Sequence, residues 1–507
     1  MKTSSRAGKP LLLALLSVSI SACGNGPLAA SKQADRASIQ SAVHDPQAQA
    51  FYQARQWKDA WDKKSEKQLL EIIAGAPANG LKPELFVPGE LPKDPAEREA
   101  ALTSAALNYA SALARGYADP AKLTDIYTIP RPKLDVARGL AGALGKGDLA
   151  GWYASLVPQT DEYRALSRAH LDYLRSAAKG QYQPVPDGDP IKPGAHDARM
   201  PAIVAALHSA GHMASAQAAG APKPTTRYSP QLVAAVKALQ AEFGLKTDGI
   251  IGGDTLDALN AGPGYRARQT AIAMERLRWL ERDPAKTRID VNTASATLDF
   301  WRGGEHVDRR KVVVGEPDKQ TPQIQAPIFR LVANPTWTVP KSIAGSELAQ
   351  KSQAWLDQNN FQIKDGYYVQ QPGPKNSLGL VKFDMDDKYA IYLHDTPAKA
   401  LFGVPDRHRS HGCVRVDNAL QFAANIAQQQ GVLDAFNKGR ASGDESFVKL
   451  KQSIPVRLYY HTAFVDGHGI QFRPDYYELD NNVARALRLE PGPIRKPQKA
   501  QGEDIGP

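Results

Sequence analysis

Cysteine is nearly absent, with only Cys23 and Cys413 among 507 residues. So small a supply excludes a disulfide-stapled fold and leaves no paired cysteines for a zinc site. Long apolar runs are equally scarce. The best of them, residues 11–20, is ten residues long, whereas a membrane span takes about 20. A phosphate-cradling Walker loop and a Gly-x-Ser-x-Gly elbow are both missing, which removes the usual signs of a P-loop nucleotidase or a serine hydrolase. The charge excess is modest. The formal +10 is spread along the chain with no basic patch interleaved with aromatics, so it favours an anionic polymer such as cell wall and gives no sign of a nucleic-acid partner.

What is present is a crowded segment around the second cysteine, residues 394–415, which reads HDTPAKALFGVPDRHRSHGCVR. His394 precedes Cys413 by nineteen residues and ends the apolar run Tyr389-Ala390-Ile391-Tyr392-Leu393, so thiol and imidazole can meet across adjacent strands. A thiol becomes a strong nucleophile only as the thiolate, which needs a base or a positive neighbourhood. His394 is the candidate base, and a backbone carbonyl near Asp395 is the candidate acceptor that fixes its tautomer. Gly412 permits a turn closed to other residues and lets a substrate carbonyl approach the Cys413 N–H, a candidate oxyanion donor. Two other readings compete. Cys413 can be a small buried hydrophobe, although Arg409, Ser410, His411 and Arg415 are poor core neighbours. Alternatively His394, His408, His411 and Cys413 can hold zinc, although their spacing matches none of the usual paired-ligand patterns. No metal and no organic cofactor is expected for thiol acyl transfer.

Ser410-His411-Gly412-Cys413, followed by Arg415 and preceded by His394, resembles the signature of L,D-transpeptidases with the YkuD-type catalytic domain. The resemblance extends to Asn376-Ser377-Leu378-Gly379, to Ile391-Tyr392-Leu393-His394-Asp395-Thr396, and to the pairs Val314-Gly315 and Thr321-Pro322, in the family's order. It implies an acyltransferase that forms 3-3 cross-links in peptidoglycan. Cys413 would attack the carbonyl of the third residue of a tetrapeptide donor, expel D-alanine, and pass the acyl group from a thioester to a diaminopimelate amine. It also implies supporting roles: Ser410 and His411 shape the loop with Gly412, Tyr392 adds an oxyanion donor, Asp395 supports His394, and Arg415 orients a carboxylate or braces the strand. Peptidoglycan stem peptides are the expected substrate, and cell-wall synthases are candidate partners. The same motif also serves a YkuD-type hydrolase or amidase that releases attached peptide or protein, and an idle site would leave a wall-binding lipoprotein.

The N-terminus reads as an export signal: Lys2, Arg6 and Lys9, then the short apolar run, then Ser21-Ala22-Cys23. The small residues before Cys23 resemble a lipobox, so residues 1–23 are expected to end in a lipidated Cys23 that tethers the chain to a membrane. Gly24 favours the outer membrane, and the expected location is the periplasm.

The expected fold class is multidomain α+β. A flexible tether (24–44) leads to an alanine- and leucine-rich helical scaffold domain (45–220) and a linker near 214–226. A small helical domain (226–262), with Leu232, Val236, Leu239 and Phe243 on one stripe, resembles a peptidoglycan-binding module. A connecting helix (263–285) carries apolar residues on one side and arginines opposite. Short strand signals then mark a mainly β catalytic domain (286–475), closed by strands near 455–460 and 469–472. Its insertion, 338–382, resembles the capping subdomain of the large Gram-negative members of the family and reads as a lid with one helix over 346–358. The tail, 491–507, is expected to be disordered.

Overall fold

The computed structural model describes residues 34–180, 182–213, 226–492 and 506. The signal segment with Cys23, most of the linker, and nearly all of the tail lie outside the described residues. No described helix is long and apolar enough to cross a membrane.

The scaffold is built around the helix Pro95–Arg115, whose N-terminus is capped by the Asp94 carboxylate and whose buried face includes Leu102, Ala106, Tyr109 and Leu113. Part of the expected tether joins this domain. Residues Arg36–Ala42 form a helix capped by Asp35, and Ile39 and Val43 are buried in the scaffold core. Two apolar side chains one turn apart were enough to dock a segment whose overall composition reads as a linker.

The small helical module comprises Met200–Ser209, Pro230–Glu242 and Gly253–Leu259. The Leu232, Val236, Leu239 and Phe243 stripe faces its core. The first of these helices precedes the expected start of the module, yet its Ile203 and Leu207 share that core.

The helix Pro263–Trp279 differs most from its amphipathic reading. Arg266, Arg276 and Arg278 are all buried, each on a different unit. Arg266 grips Glu242 of the small module with two bonds, at 2.5 and 3.0 Å. Arg276 pairs at 2.6 Å with Asp480 of the C-terminal helix Asp480–Ala486. Arg278 donates to Tyr163 and to the Asn79 carbonyl of the scaffold, both at 2.7 Å, and pairs with Glu275. The arginine face meets protein instead of water because three units converge on this one helix, and each guanidinium is compensated by hydrogen-bonded partners.

The catalytic region contains β1 (Arg288–Asn292), β2 (Thr297–Arg302), β3 (Glu305–Gly315), β4 (Ile324–Ala333), β5 (Trp337–Thr338), β6 (Phe361–Lys364), β7 (Tyr367–Gln370), β8 (Val381–Met385), β9 (Leu393–His394), β10 (His408–Ser410), β11 (Val414–Val416), β12 (Ser446–Tyr459), β13 (Ala463–Asp466) and β14 (Gly469–Phe472). Nine of them form one sheet in the order β10-β3-β11-β9-β8-β4-β12-β1-β2, and β2 pairs back onto β3, so the sheet closes on itself. Alternate residues such as Ile289, Val291, Val312, Val314, Val456 and Leu458 fill its core, and Phe422 and Ile426 of the helix Ala419–Gln429 pack there as well.

Two expectations are corrected. The strand at 469–472 does not close this sheet; β13 and β14 form a separate hairpin, and Phe472 stacks on Phe243 of the small module. The insertion does not carry one helix over 346–358. It has a π turn at Ala344–Leu348, a short helix Gln353–Gln358, and a three-stranded sheet in the order β5-β7-β6, around a core of its own that includes Trp337, Ile343, Leu348, Leu356 and Phe361.

Candidate active site

Cys413 lies in the three-residue connection between β10 and β11, where Gly412 adopts φ +118°. β9 and β11 are adjacent and parallel, with Val414 opposite Leu393 and Arg415 opposite His394. This register sets Cys413 beside Tyr392, and the two-residue period of a strand puts Tyr392 and His394 on one face. The expected meeting of the two segments across neighbouring strands is therefore what the fold builds.

The loop is pinned by its own side chains and by others. The buried Ser410 hydroxyl donates to the Cys413 carbonyl at 2.6 Å and accepts the Gly412 N–H at 3.2 Å. Val414 N–H donates to the Tyr392 carbonyl at 3.1 Å. From the loop preceding β4, the Thr321 hydroxyl donates to the Gly412 carbonyl at 2.8 Å. His411 reaches outward: its Nε2 is 2.5 Å from Glu347 in the insertion's π turn and 2.5 Å from Lys319 Nζ.

His394 is fully buried, and its Nδ1 is 2.5 Å from the Asp395 carbonyl. That geometry assigns the proton to Nδ1 and leaves Nε2, which makes no hydrogen bond, as the basic nitrogen. Burial, followed by the positive charge of Arg415, pushes the imidazole pKa well below its ordinary value, so the ring is neutral. Burial also raises the Cys413 thiol to about 11, against hydrogen bonds from the Tyr392 backbone and hydroxyl that favour the thiolate. The resting pair is thus a neutral thiol and a neutral base, in a site where Cys413 is 6% exposed.

Asp395 supports this strand end through its side chain. It accepts the Leu380 N–H at 2.9 Å and pairs with Lys399. Gly379, at φ +62°, passes so close that an added Cβ would lie 2.3 Å from the Asp395 carboxylate, which accounts for the glycine in Asn376-Ser377-Leu378-Gly379. Arg415 is buried at 1% exposure, and Gly506, the one described residue of the tail beyond 492, is buried beside it and Ser377. That contact departs from the expectation of disorder for the tail at this residue. His408 is committed elsewhere, at 3.0 Å from Asp406 and 2.9 Å from the Thr293 carbonyl, with its ring stacked on Tyr476. Among the described residues no group of three His, Cys, Asp or Glu side chains is placed to hold a metal ion.

Several neighbours escaped the sequence reading. Lys382 on β8 is in register with His394 and lies over the Tyr392 ring at 4.4 Å. A lysine between Val381 and Phe383 in an apolar strand was the available signal. Glu347 and Lys319 carried none, because each reaches His411 from a distant segment.

Three family models match the chain: an L,D-transpeptidase catalytic domain over 286–439, a scaffold domain over 46–169, and a "Putative peptidoglycan binding domain" over 198–259. A protein of Haemophilus influenzae named "Putative L,D-transpeptidase" is 30% identical over 219 residues, which is 38% of this chain and 45% of that relative. The chain therefore matches less than half of the relative's length. Among solved structures, an L,D-transpeptidase from Xylanimonas cellulosilytica is 16% identical, with 54% of this chain and 99% of that one covered and a TM-score of 0.20. One from Mycobacterium smegmatis is 12% identical, with 34% and 58% covered and a TM-score of 0.21. Scores this low add nothing to what the family models establish.

Proposed function

We propose that the chain, whose residues 286–439 match the L,D-transpeptidase catalytic domain and which also matches scaffold and peptidoglycan-binding domains, cross-links peptidoglycan by acyl transfer through Cys413. The observation that carries this reading is the pairing of β9 with β11, which brings a histidine with a free basic nitrogen and a lone thiol to one end of the sheet.

In the proposed reaction His394 Nε2 takes the thiol proton as Sγ bonds to the carbonyl carbon of the donor's third residue. The Cys413 N–H and the Tyr392 hydroxyl stabilise the oxyanion. Collapse breaks the amide bond, and D-alanine leaves with the proton held by His394. A diaminopimelate amine of a second stem then attacks the thioester, gives its proton to His394, and releases the thiol, so protons balance over the cycle. Forming the thiolate in a buried site is costly, and bound substrate offsets that cost by shielding the pair from water. The insertion 338–382 acts as the lid: Tyr392 packs against its core and also favours the Cys413 thiolate, so the cover and the nucleophile share a side chain. Export through residues 1–23, lipidation of Cys23 and a periplasmic, outer-membrane location complete the proposal, with cell-wall synthases as candidate partners.

The test is to incubate the purified protein and Cys413→Ala with disaccharide-tetrapeptides and analyse the products by mass spectrometry. Dimers that vanish in the variant support transpeptidation. Shortened monomers without dimers indicate the hydrolase, and no product from folded wild-type protein indicates an idle wall-binding lipoprotein.

A further inference from the structure

The loop that carries the nucleophile depends on a hydroxyl outside it. Thr321 Oγ1 accepts the Gly315 N–H at 2.9 Å and donates to the Gly412 carbonyl at 2.8 Å. A threonine hydroxyl has one proton, so the bond from Gly315 leaves that proton for Gly412. The Gly412 carbonyl and the Cys413 N–H belong to one planar trans peptide unit and point in opposite directions. Fixing the carbonyl on Thr321 therefore aims the Cys413 N–H to the opposite side. Among the described residues nothing accepts from that N–H. Glycine at position 412 makes such a clamp necessary, because a residue without a Cβ lets the adjoining peptide reorient readily.

Thr321 is itself held from two directions. Its N–H donates at 3.3 Å to the hydroxyl of Tyr477, which donates at 2.8 Å to the Gly315 carbonyl, so the tyrosine bridges both ends of the turn. Tyr477 is buried, stacks on Tyr460 at 4.8 Å, and belongs to a segment beyond the end of the matched catalytic domain at residue 439. Two residues after Thr321, Gln323 exchanges backbone bonds with the scaffold: Thr128 N–H donates to its carbonyl at 2.9 Å, and its N–H donates to the Ile126 carbonyl at 3.2 Å.

We propose that Thr321 is a positioning residue for acyl transfer, which orients the Gly412–Cys413 peptide so that the Cys413 N–H meets the developing oxyanion. Tyr477 and the scaffold segment 126–128 hold Thr321 in place. The inference rests on Cys413 being the acylated nucleophile, and it separates reactions that build an oxyanion from those that do not.

The experiment compares full-length wild type, Thr321→Val, Thr321→Ser and Tyr477→Phe with two probes of Cys413. Acetylation by p-nitrophenyl acetate passes through a tetrahedral oxyanion: sulfur bonds to the acyl carbon and p-nitrophenolate departs. Alkylation by iodoacetamide displaces iodide and forms no oxyanion. Thr321→Val is expected to slow acetylation about 10- to 100-fold while alkylation stays within about threefold, and Thr321→Ser to restore acetylation to within about threefold. Tyr477→Phe, which keeps the ring stack, is expected to slow acetylation about 3- to 10-fold with alkylation unchanged, and it serves as the deciding variant if Thr321→Val does not fold. Unchanged acetylation, an equal fall in both reactions, or no rescue by serine overturns the proposal. Wild type that is acetylated but leaves disaccharide-tetrapeptides untouched would refute the peptidoglycan reading alone, and the acetylation-to-alkylation ratio of the variants would still decide the role of Thr321.

Discussion

The Cys413 loop and the insertion that covers it are built on different principles. Ser410, Thr321 and the Tyr392 carbonyl hold the loop through short, buried hydrogen bonds, and the strands on either side belong to a closed sheet. The insertion has only a small apolar core and short elements, with Ile363 at 62% and Tyr367 at 40% exposed on its hairpin. It meets the loop mainly through polar groups, His411 and Lys319 against Glu347, and through the shared Tyr392. Chemistry that needs atoms held to a fraction of an ångström sits on the over-determined element, while the cover can move at the cost of a few polar contacts.

The comparison breaks first at His394. His394→Gln should reduce acyl transfer by about 10²- to 10⁴-fold, because His394 is the buried, neutral imidazole on the strand paired with the one that follows Cys413. Product formation by mass spectrometry measures it, and a loss below tenfold would mean that the pinned element does not carry the base. Phe361→Ala tests the other side. Removing a buried ring from so small a core costs about 3–5 kcal/mol, enough to unfold the insertion alone. Hydrogen exchange should then rise across 341–370 while 408–416 stay protected. Equal loss in both segments would show that the two are one cooperative unit.

The pH dependence of Cys413 alkylation sharpens the contrast further. With the thiol raised to about 11 by burial, the thiolate fraction, and so the rate, grows about tenfold per pH unit and is still rising at pH 10. A plateau below pH 9 would show that the closed site does not suppress the thiolate.

What the sequence made legible follows the same division. His394 and Cys413 stood out because a lone thiol, a glycine and several histidines at the end of an apolar run are chemically conspicuous, and strand alternation revealed most of the sheet that brings them together. Thr321 is visible in the sequence only as part of a motif: a single hydroxyl in a Gln-Thr-Pro loop has no periodicity, and its partner Gly412 is 91 residues away. The arginines of Pro263–Trp279 misled because an amphipathic reading assumes water on the charged side, and the scaffold, the small module and the helix Asp480–Ala486 occupy that side instead. Inside the insertion, the turn at 349–352 divides what helical spacing suggested was one helix, and the pairing of β5, β6 and β7 joins strands of two to four residues, too short to announce themselves.

The smallest expected effect bears on the contact between the two regions. Glu347 is the insertion's only described ionic partner for His411, and it also faces Lys319 at 3.8 Å. Glu347→Gln keeps the size and an acceptor oxygen but removes the charge, which weakens the contact by about 1 kcal/mol, the difference between a charge-assisted and a neutral hydrogen bond. If closure of the insertion limits access to the thiol, iodoacetamide should alkylate Cys413 about fivefold faster in the variant, as that energy converts to a population of open molecules. The loop's own bonds do not involve Glu347, so hydrogen exchange over 408–416 should not change. Faster alkylation together with loosened exchange in the loop would mean instead that Glu347 helps to hold the nucleophile's backbone, and the division between a rigid site and a detachable cover would have to be redrawn through His411.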